Sequence, residues 1–288
     1  MRAFLPLLLG FGCTADNPEQ PHVFRSTEDG WLAIAAGISH TCGIDASNSV
    51  VCWGQEGFED HEDPTDSPAG TFQQIASGNA FSCALREDGL AVCWGDTSFG
   101  KTSPPTSSLS DLALGFEHAC ALNFDGQIAC WGIEDRNATS APDGVFTALS
   151  SGYDRSCALA ESGSLVCWGD GPLAQTPDPQ RAFEQIDLGG DTACAIDTSG
   201  LALCWGNPAV IAPQDLSFVH VETGLRHACG LSSENRVSCW GENDTEQLEA
   251  PDEPLLALSV GGAHSCGLTA LGEVVCWGWN ESGQALPP

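Results

Sequence analysis

The chain has 288 residues, with 39 acidic side chains against nine basic ones and a formal net charge of −30. Such a surface repels nucleic acid, whose binding rests on basic groups that neutralise phosphates, and it disfavours an anionic membrane face. A β architecture of this length fits one domain around one core.

Residues 1–12 read Met-Arg and then an apolar run from Ala3 to Gly12. A basic residue ahead of a short apolar run is a secretory signal, too short to span a bilayer. Cys13 follows Gly12 and precedes the polar stretch Thr14 to Glu19. That arrangement resembles a bacterial lipoprotein cleavage site, although Leu9 lies one position further from Cys13 than the pattern places it. The expectation is a signal peptide over 1–12, a lipid on Cys13 and a tether over 13–30. The alternative is an ordinary signal peptide, with Cys13 removed or incidental. No later segment reads as a membrane span, so a membrane is expected to be reached only through the lipid.

From residue 31 onward the chain repeats one unit seven times: a cysteine, nine residues, then Cys-Trp-Gly. The pairs are Cys42/Cys52, Cys83/Cys93, Cys120/Cys130, Cys157/Cys167, Cys194/Cys204, Cys229/Cys239 and Cys266/Cys276. First cysteines follow one another at 41, 37, 37, 37, 35 and 37 residues, a period that marks one supersecondary unit repeated. Repeats begin near the large apolar residues Trp31, Phe72, Leu109, Phe146, Phe183, Phe218 and Leu255. A glycine always stands five residues before the first Cys, from Gly37 to Gly261.

Six residues after the first Cys stands Asn or Gly, from Asn48 to Gly272. These residues tolerate positive φ. A three-residue hairpin loop needs its left-handed residue there, which makes the first loop Ala46-Ser47-Asn48. Asp45 then faces Ser49, Ile44 faces Val50, and Cys42 faces Cys52 in a non-hydrogen-bonded pair, the register a cross-strand disulfide needs. Zinc is the competing reading, but its ligands are usually two to four residues apart rather than nine. Paired cysteines imply an oxidising compartment.

Both faces of these strands are apolar, as Ile44 and Val50 on one face and Val51 on the other illustrate. Strands of that kind are buried on both sides. Small sheets stacked around a ring bury both faces, so the pattern predicts an all-β, seven-bladed β-propeller over 31–288, with one Cys-x9-Cys hairpin per blade. An open β-solenoid is the alternative. It would need polar capping repeats, and repeats one and seven look like the middle ones.

The stretch Gly115-Phe-Glu-His118-Ala-Cys120-Ala-Leu122, followed by Gly and Cys-Trp-Gly, resembles the regulator of chromosome condensation repeat. So does the final Trp279-Asn280-Glu-Ser-Gly283-Gln284 segment. The resemblance covers 31–288 and implies a seven-bladed propeller, closer to exported bacterial members, which include β-lactamase inhibitors. The acidic charge and the export signal argue against the namesake's chromatin and nuclear exchange-factor roles.

The repeats vary most in the linkers after Trp-Gly. Linker 55–71 carries Glu56, Phe58, Glu59, Asp60, Glu62 and Asp63; linker 242–254 carries Glu242, Asp244 and Glu246. In a closed ring both fall in the sector of blades six, seven, one and two. They read as a solvated surface, as a docking site for a basic partner, or as a calcium site, although neither has EF-hand spacing. Trp279 lies outside the blade pattern and is a surface candidate, as are Phe58 and Phe99 if exposed together. The seven blade tryptophans read as packing between blades rather than a carbohydrate platform. His40, His118, His227 and His264 read as structural hydrogen bonders. No nucleophile–base motif occurs. The inner-strand candidates ahead of each invariant glycine are poor in acid–base groups, with Asp187 and Glu222 as the exceptions.

These features predict an exported, monomeric binding scaffold, lipid-anchored in the bacterial cell envelope or extracellular, without cofactor or metal. An unknown, basic protein partner would dock through the inter-repeat loops. The alternatives are an inhibitor of an extracellular enzyme, or a polysaccharide hydrolase or lyase with a site assembled across blades.

Overall fold

A computed structural model of the chain describes residues 23–26, 30–55, 63–170, 178 and 180–288. Each repeat folds into an antiparallel sheet, and seven sheets make the seven blades of a propeller. In blade one, an inner strand Trp31–Ala36 pairs with a middle strand His40–Asp45, which pairs with an outer strand Val50–Gly54. Blade seven repeats this with Leu255–Val260, His264–Thr269 and Val274–Gly278.

The hairpin forms as its residues dictate. Asn48 adopts φ 62°, its N–H donates to the Asp45 carbonyl at 2.9 Å, and the Asp45 N–H donates to Ser49 at 2.9 Å. Cys42 then lies opposite Cys52, with the Cα atoms 4.0 Å apart. All seven hairpins carry this disulfide, and Gly takes the left-handed position wherever Asn does not. Such local closure limits the unfolded chain; on an entropic model each eleven-residue loop contributes roughly 3 kcal/mol.

The ring is closed, so the open solenoid is overturned. Inner strands of successive blades contact one another, and blade seven contacts blade one. The invariant glycines mark the closest approach. A Cβ on Gly37 would come within 2.7 Å of the Gly78 carbonyl in the next blade, and a Cβ on Gly261 within 2.3 Å of the Gly37 carbonyl. Gly262 N–H donates to the Gly37 carbonyl at 3.0 Å, joining blade seven to blade one. Only glycine permits this contact.

Both chain ends help to close the ring. Val23–Arg25 pairs with Val274–Gly278 and gives blade seven a fourth strand. The stretch 13–30 is therefore not a tether throughout. Phe24 makes the difference, because it packs into the apolar cluster that joins Trp31, Trp53 and Cys276. At the other end, the Gln284 carbonyl accepts from Trp53 Nε1 at 2.9 Å and from Thr41 Oγ1 at 2.8 Å.

The core lies between blades, in clusters such as Cys42, Ile44 and Val50 against Phe72, Ile75, Ala84 and Trp94. The seven Trp-Gly tryptophans are packing wedges, each with its indole ring in an inter-blade cluster. Several donate Nε1 to a linker carbonyl: Trp94 to Pro64 at 2.9 Å, Trp131 to Lys101 at 2.7 Å and Trp277 to Gln247 at 3.1 Å.

Candidate functional site

Antiparallel strands send two kinds of turn to opposite faces of the ring. The Gly-x-x-His turns and the Trp-Gly ends of the outer strands share one face, here called the glycine face. Backbone bonds tie the start of each linker to it: Asp96 N–H to Ala80 at 2.8 Å, Asp170 to Asp154 at 3.1 Å and Glu242 to Arg226 at 3.0 Å. The hairpin loops occupy the other face.

The axis opens on the glycine face as a cavity of about 80 Å³. Small-molecule sites usually enclose roughly 300–1,000 Å³, so this one suits a single side chain and not a drug-sized ligand. Its wall combines the invariant glycines with the residues that follow them, among them Ile38, Asn79, Phe116, Tyr153 and Leu225. The Phe116 and Tyr153 rings, on neighbouring blades, lie 4.9 Å apart and tilted by 48°. One residue further out stand Glu117, Asp154 and Asp191, on three successive blades. Beyond them come the linker starts, where Asp170, Asp244 and Glu246 are exposed. Two of the basic groups here are buried in ion pairs. Lys101 is fully buried between Asp96 (2.8 Å) and Glu117 (2.7 Å), Arg155 is buried against Asp191 at 2.8 Å, and Arg226 is exposed.

The residues singled out in the sequence fare unequally. Cys13, Glu56, Phe58, Glu59, Asp60 and Glu62 lie outside the described residues. Asp63 accepts from Thr65 N–H and Oγ1, both at 2.7 Å, and so shapes its own loop. Glu242 is 3.3 Å from Arg226. Glu246 is exposed and holds a left-handed φ of 62°, the conformation that Gly283 takes in the matching turn of the last linker. Trp279 is half-buried, with its N–H bonded to the Ala263 carbonyl at 2.9 Å. Phe99 is 61% exposed on the glycine face. Among the described residues no three His, Cys, Asp or Glu side chains converge on a metal position.

The histidines join neighbouring blades. Nε2 of His40 lies 2.7 Å from Ser82 Oγ, and Nε2 of His118 lies 2.9 Å from Ser156 Oγ. His227 pairs with Ser265 at 3.0 Å. Burial lowers the pKa of His40, His118 and His227 to about 4, and that of His264 to about 3 with the charges of His227 and His40 adding to burial. All four are neutral at pH 7 and serve as fixed hydrogen-bonding groups.

Asp187 and Glu222, the inner-strand exceptions, are neighbours across blades five and six. Asp187 accepts from Ser150 Oγ at 2.9 Å and from Thr223 N–H at 2.6 Å and Oγ1. Burial, reinforced by the charge of Glu222, raises Asp187 to about 7 against those hydrogen bonds. Glu222 meets His220 Nε2 at 2.8 Å. Burial opposes charge on His220, but its hydrogen bond to Glu222 and the charges of Glu222 and Asp187 outweigh that and raise its pKa. The Asp187 carboxylate thus links blades four, five and six, with both oxygens engaged.

Reading the sequence alone missed the aromatic mouth, because Phe116 and Tyr153 belong to different repeats and meet only across a blade boundary. It also missed the serine and threonine partners of the histidines. A signal was present, since each stands immediately before the first Cys of the repeat after its histidine.

A family model described as the regulator of chromosome condensation (RCC1) repeat matches residues 31–58, 72–101, 110–137, 146–175, 218–247 and 256–284, more than half of the chain. Among solved structures, the CRINKLY WD40 ectodomain of the receptor kinase ACR4 from Arabidopsis thaliana is similar over 90% of this chain and 98% of its own, at 25% identity and TM-score 0.71. The receptor kinase CR4 ectodomain from Physcomitrella patens is 24% identical over 87% of this chain and 74% of its own, with TM-score 0.70. Prp20p from Saccharomyces cerevisiae, whose binding to Gsp1p and histones is described with its structure, is 15% identical over 88% and 84%, with TM-score 0.65. No curated protein sequence gives a significant match.

Proposed function

Since this chain belongs to the regulator of chromosome condensation repeat family, we propose that it is a non-catalytic scaffold whose glycine face docks a basic protein. The observation that carries this reading is the charge of that face: Asp154, Asp170, Asp191, Asp244 and Glu246 surround an apolar mouth, with Arg226 exposed among them. A single-signed field of that kind steers an oppositely charged partner and speeds its association. Loops on a rigid, disulfide-linked ring suit display of such a surface. The Prp20p structure, with Gsp1p and histones as binding partners, is consistent with protein recognition on this fold.

A hydrolase or lyase is disfavoured because Asp187 spends its carboxylate on Ser150 and Thr223 and the axial cavity holds about 80 Å³. Seven disulfides and the likeness to receptor ectodomains support export. We further propose that Cys13 carries the anchor, which palmitate labelling lost in Cys13→Ser would support and labelling kept in that variant would overturn.

Calorimetric titration with hexalysine tests the docking face. Binding is expected to weaken about tenfold in an Asp244→Lys/Glu246→Lys variant, and also at high salt. Absence of binding to the wild type, or equal binding by the variant, would overturn the reading.

A further inference from the structure

We infer that the axial mouth on the glycine face receives one lysine or arginine side chain from the partner, an inference that rests on the acidic-face reading above. Three observations converge on it. The cavity, about 80 Å³, is large enough for one extended side chain and too small for a ring system with substituents. Its wall is continuous around the axis, because the invariant glycines meet the carbonyls of the next blade, as Gly37 meets Gly78 and Gly261 meets Gly37.

The wall is matched to an aliphatic stem with a charged head. Ile38 and Leu225 line it on blades one and six, and the Phe116–Tyr153 pair lines it on blades three and four. Long basic side chains bury their methylenes against apolar surface and keep the charge near polar groups. An ammonium or guanidinium within about 6 Å of an aromatic face is attracted by the ring quadrupole.

The residues that follow Phe116 and Tyr153 supply the sign. Glu117 and Asp154 come directly after them, and Asp191 stands at the same position on blade five. Glu117 and Asp191 hold Lys101 and Arg155, but each of those cations is buried beneath its partner and the outward side of the face remains acidic. An acidic side chain would be repelled here, and a purely apolar one would leave that field unused.

The chain has one tyrosine, Tyr153, and it stands in the wall of the cavity. Fluorotyrosine incorporation therefore places a single fluorine resonance at the mouth. Adding hexalysine should shift that resonance saturably, with the same dissociation constant that calorimetry gives. In Asn79→Trp, which fills the mouth from blade two and leaves the acidic side chains in place, affinity should fall about tenfold or more with an unchanged melting temperature. If hexalysine binds the wild type but leaves the fluorine resonance unmoved, the inference fails and the acidic-face reading stands. Equal affinity of the Asn79→Trp variant fails it in the same way. If hexalysine does not bind at all, the acidic-face reading fails and takes the inference with it.

Discussion

His264 Nε2 lies 2.8 Å from Thr41 Oγ1, so a buried hydrogen bond joins the last blade to the first across 223 residues of chain. The same bond recurs from His40 to Ser82, from His118 to Ser156 and from His227 to Ser265. Where a blade lacks the histidine, the next blade offers alanine instead: Phe81 is followed by Ala119, Arg155 by Ala193 and Thr192 by Ala228. Donor and acceptor are kept or dropped together at each boundary.

That matching predicts a double-mutant cycle. Ser156→Ala leaves His118 buried with its Nε2 unpaired, and should cost about 1–3 kcal/mol. The double variant His118→Phe/Ser156→Ala recreates the apolar pair Phe81/Ala119 and should recover most of the loss. Urea denaturation of the two single variants and the double measures the coupling. Additive losses would show that the pair does not act as a unit.

The same histidines set the response to acid. Their pKa values in the folded chain lie near 3 to 4, below the ordinary value of 6.5. The unfolded chain therefore binds protons between about pH 6.5 and 4 that the folded chain refuses. Stability from these groups is complete above pH 6.5 and falls as the pH drops toward 4, by on the order of 3 kcal/mol for each histidine. Asp187 works the other way: its raised pKa gives stability at low pH that is lost as the pH rises from about 4 to about 7. Unfolding free energy followed from pH 7 to 4.5 should fall less steeply in His118→Phe/Ser156→Ala than in the wild type. Equal slopes would mean that His118 does not titrate as its burial implies.

Lys101 is the single lysine and is fully buried, with Nζ 5.3 Å from the centre of the Phe81 ring as well as bonded to Asp96 and Glu117. Removing one member of such a group leaves the opposite charges uncompensated. Asp96 and Glu117 keep some solvent contact, so Lys101→Met should cost about 2–4 kcal/mol, short of the value for a wholly buried pair. The folded protein should also resist amine-reactive reagents at Lys101 and accept them when denatured. Rapid labelling of the native chain at this residue would contradict its burial.

Much of the fold was legible because it is local. Asn48 fixes the hairpin loop, the loop fixes the Cys42/Cys52 register, and repetition fixes the number of blades. What escaped depends on residues that meet across blade boundaries or across the whole chain. Val23–Arg25 is three residues long and finds its partner strand some 250 positions away, so nothing nearby marks it as a strand. Asp187 could be noticed as an odd carboxylate, but its role depends on Ser150 and Thr223, each in another repeat. Glu242, Asp244 and Glu246 were visible as an acidic run. That they share a face with Asp154 and Asp191 follows only from strand direction.

Each disulfide joins residues ten apart, inside one hairpin, and none joins one blade to another. The covalent links therefore confer no circular topology. A hairpin can oxidise as soon as its own residues meet an oxidising environment, while the remainder of the chain is still unfolded. Closure must wait for Val274–Gly278 to meet Val23–Arg25 and for His264 to meet Thr41. The oxidised protein is a string of seven stapled beads with a non-covalent clasp, and unfastening that one seam opens the whole ring without breaking a bond.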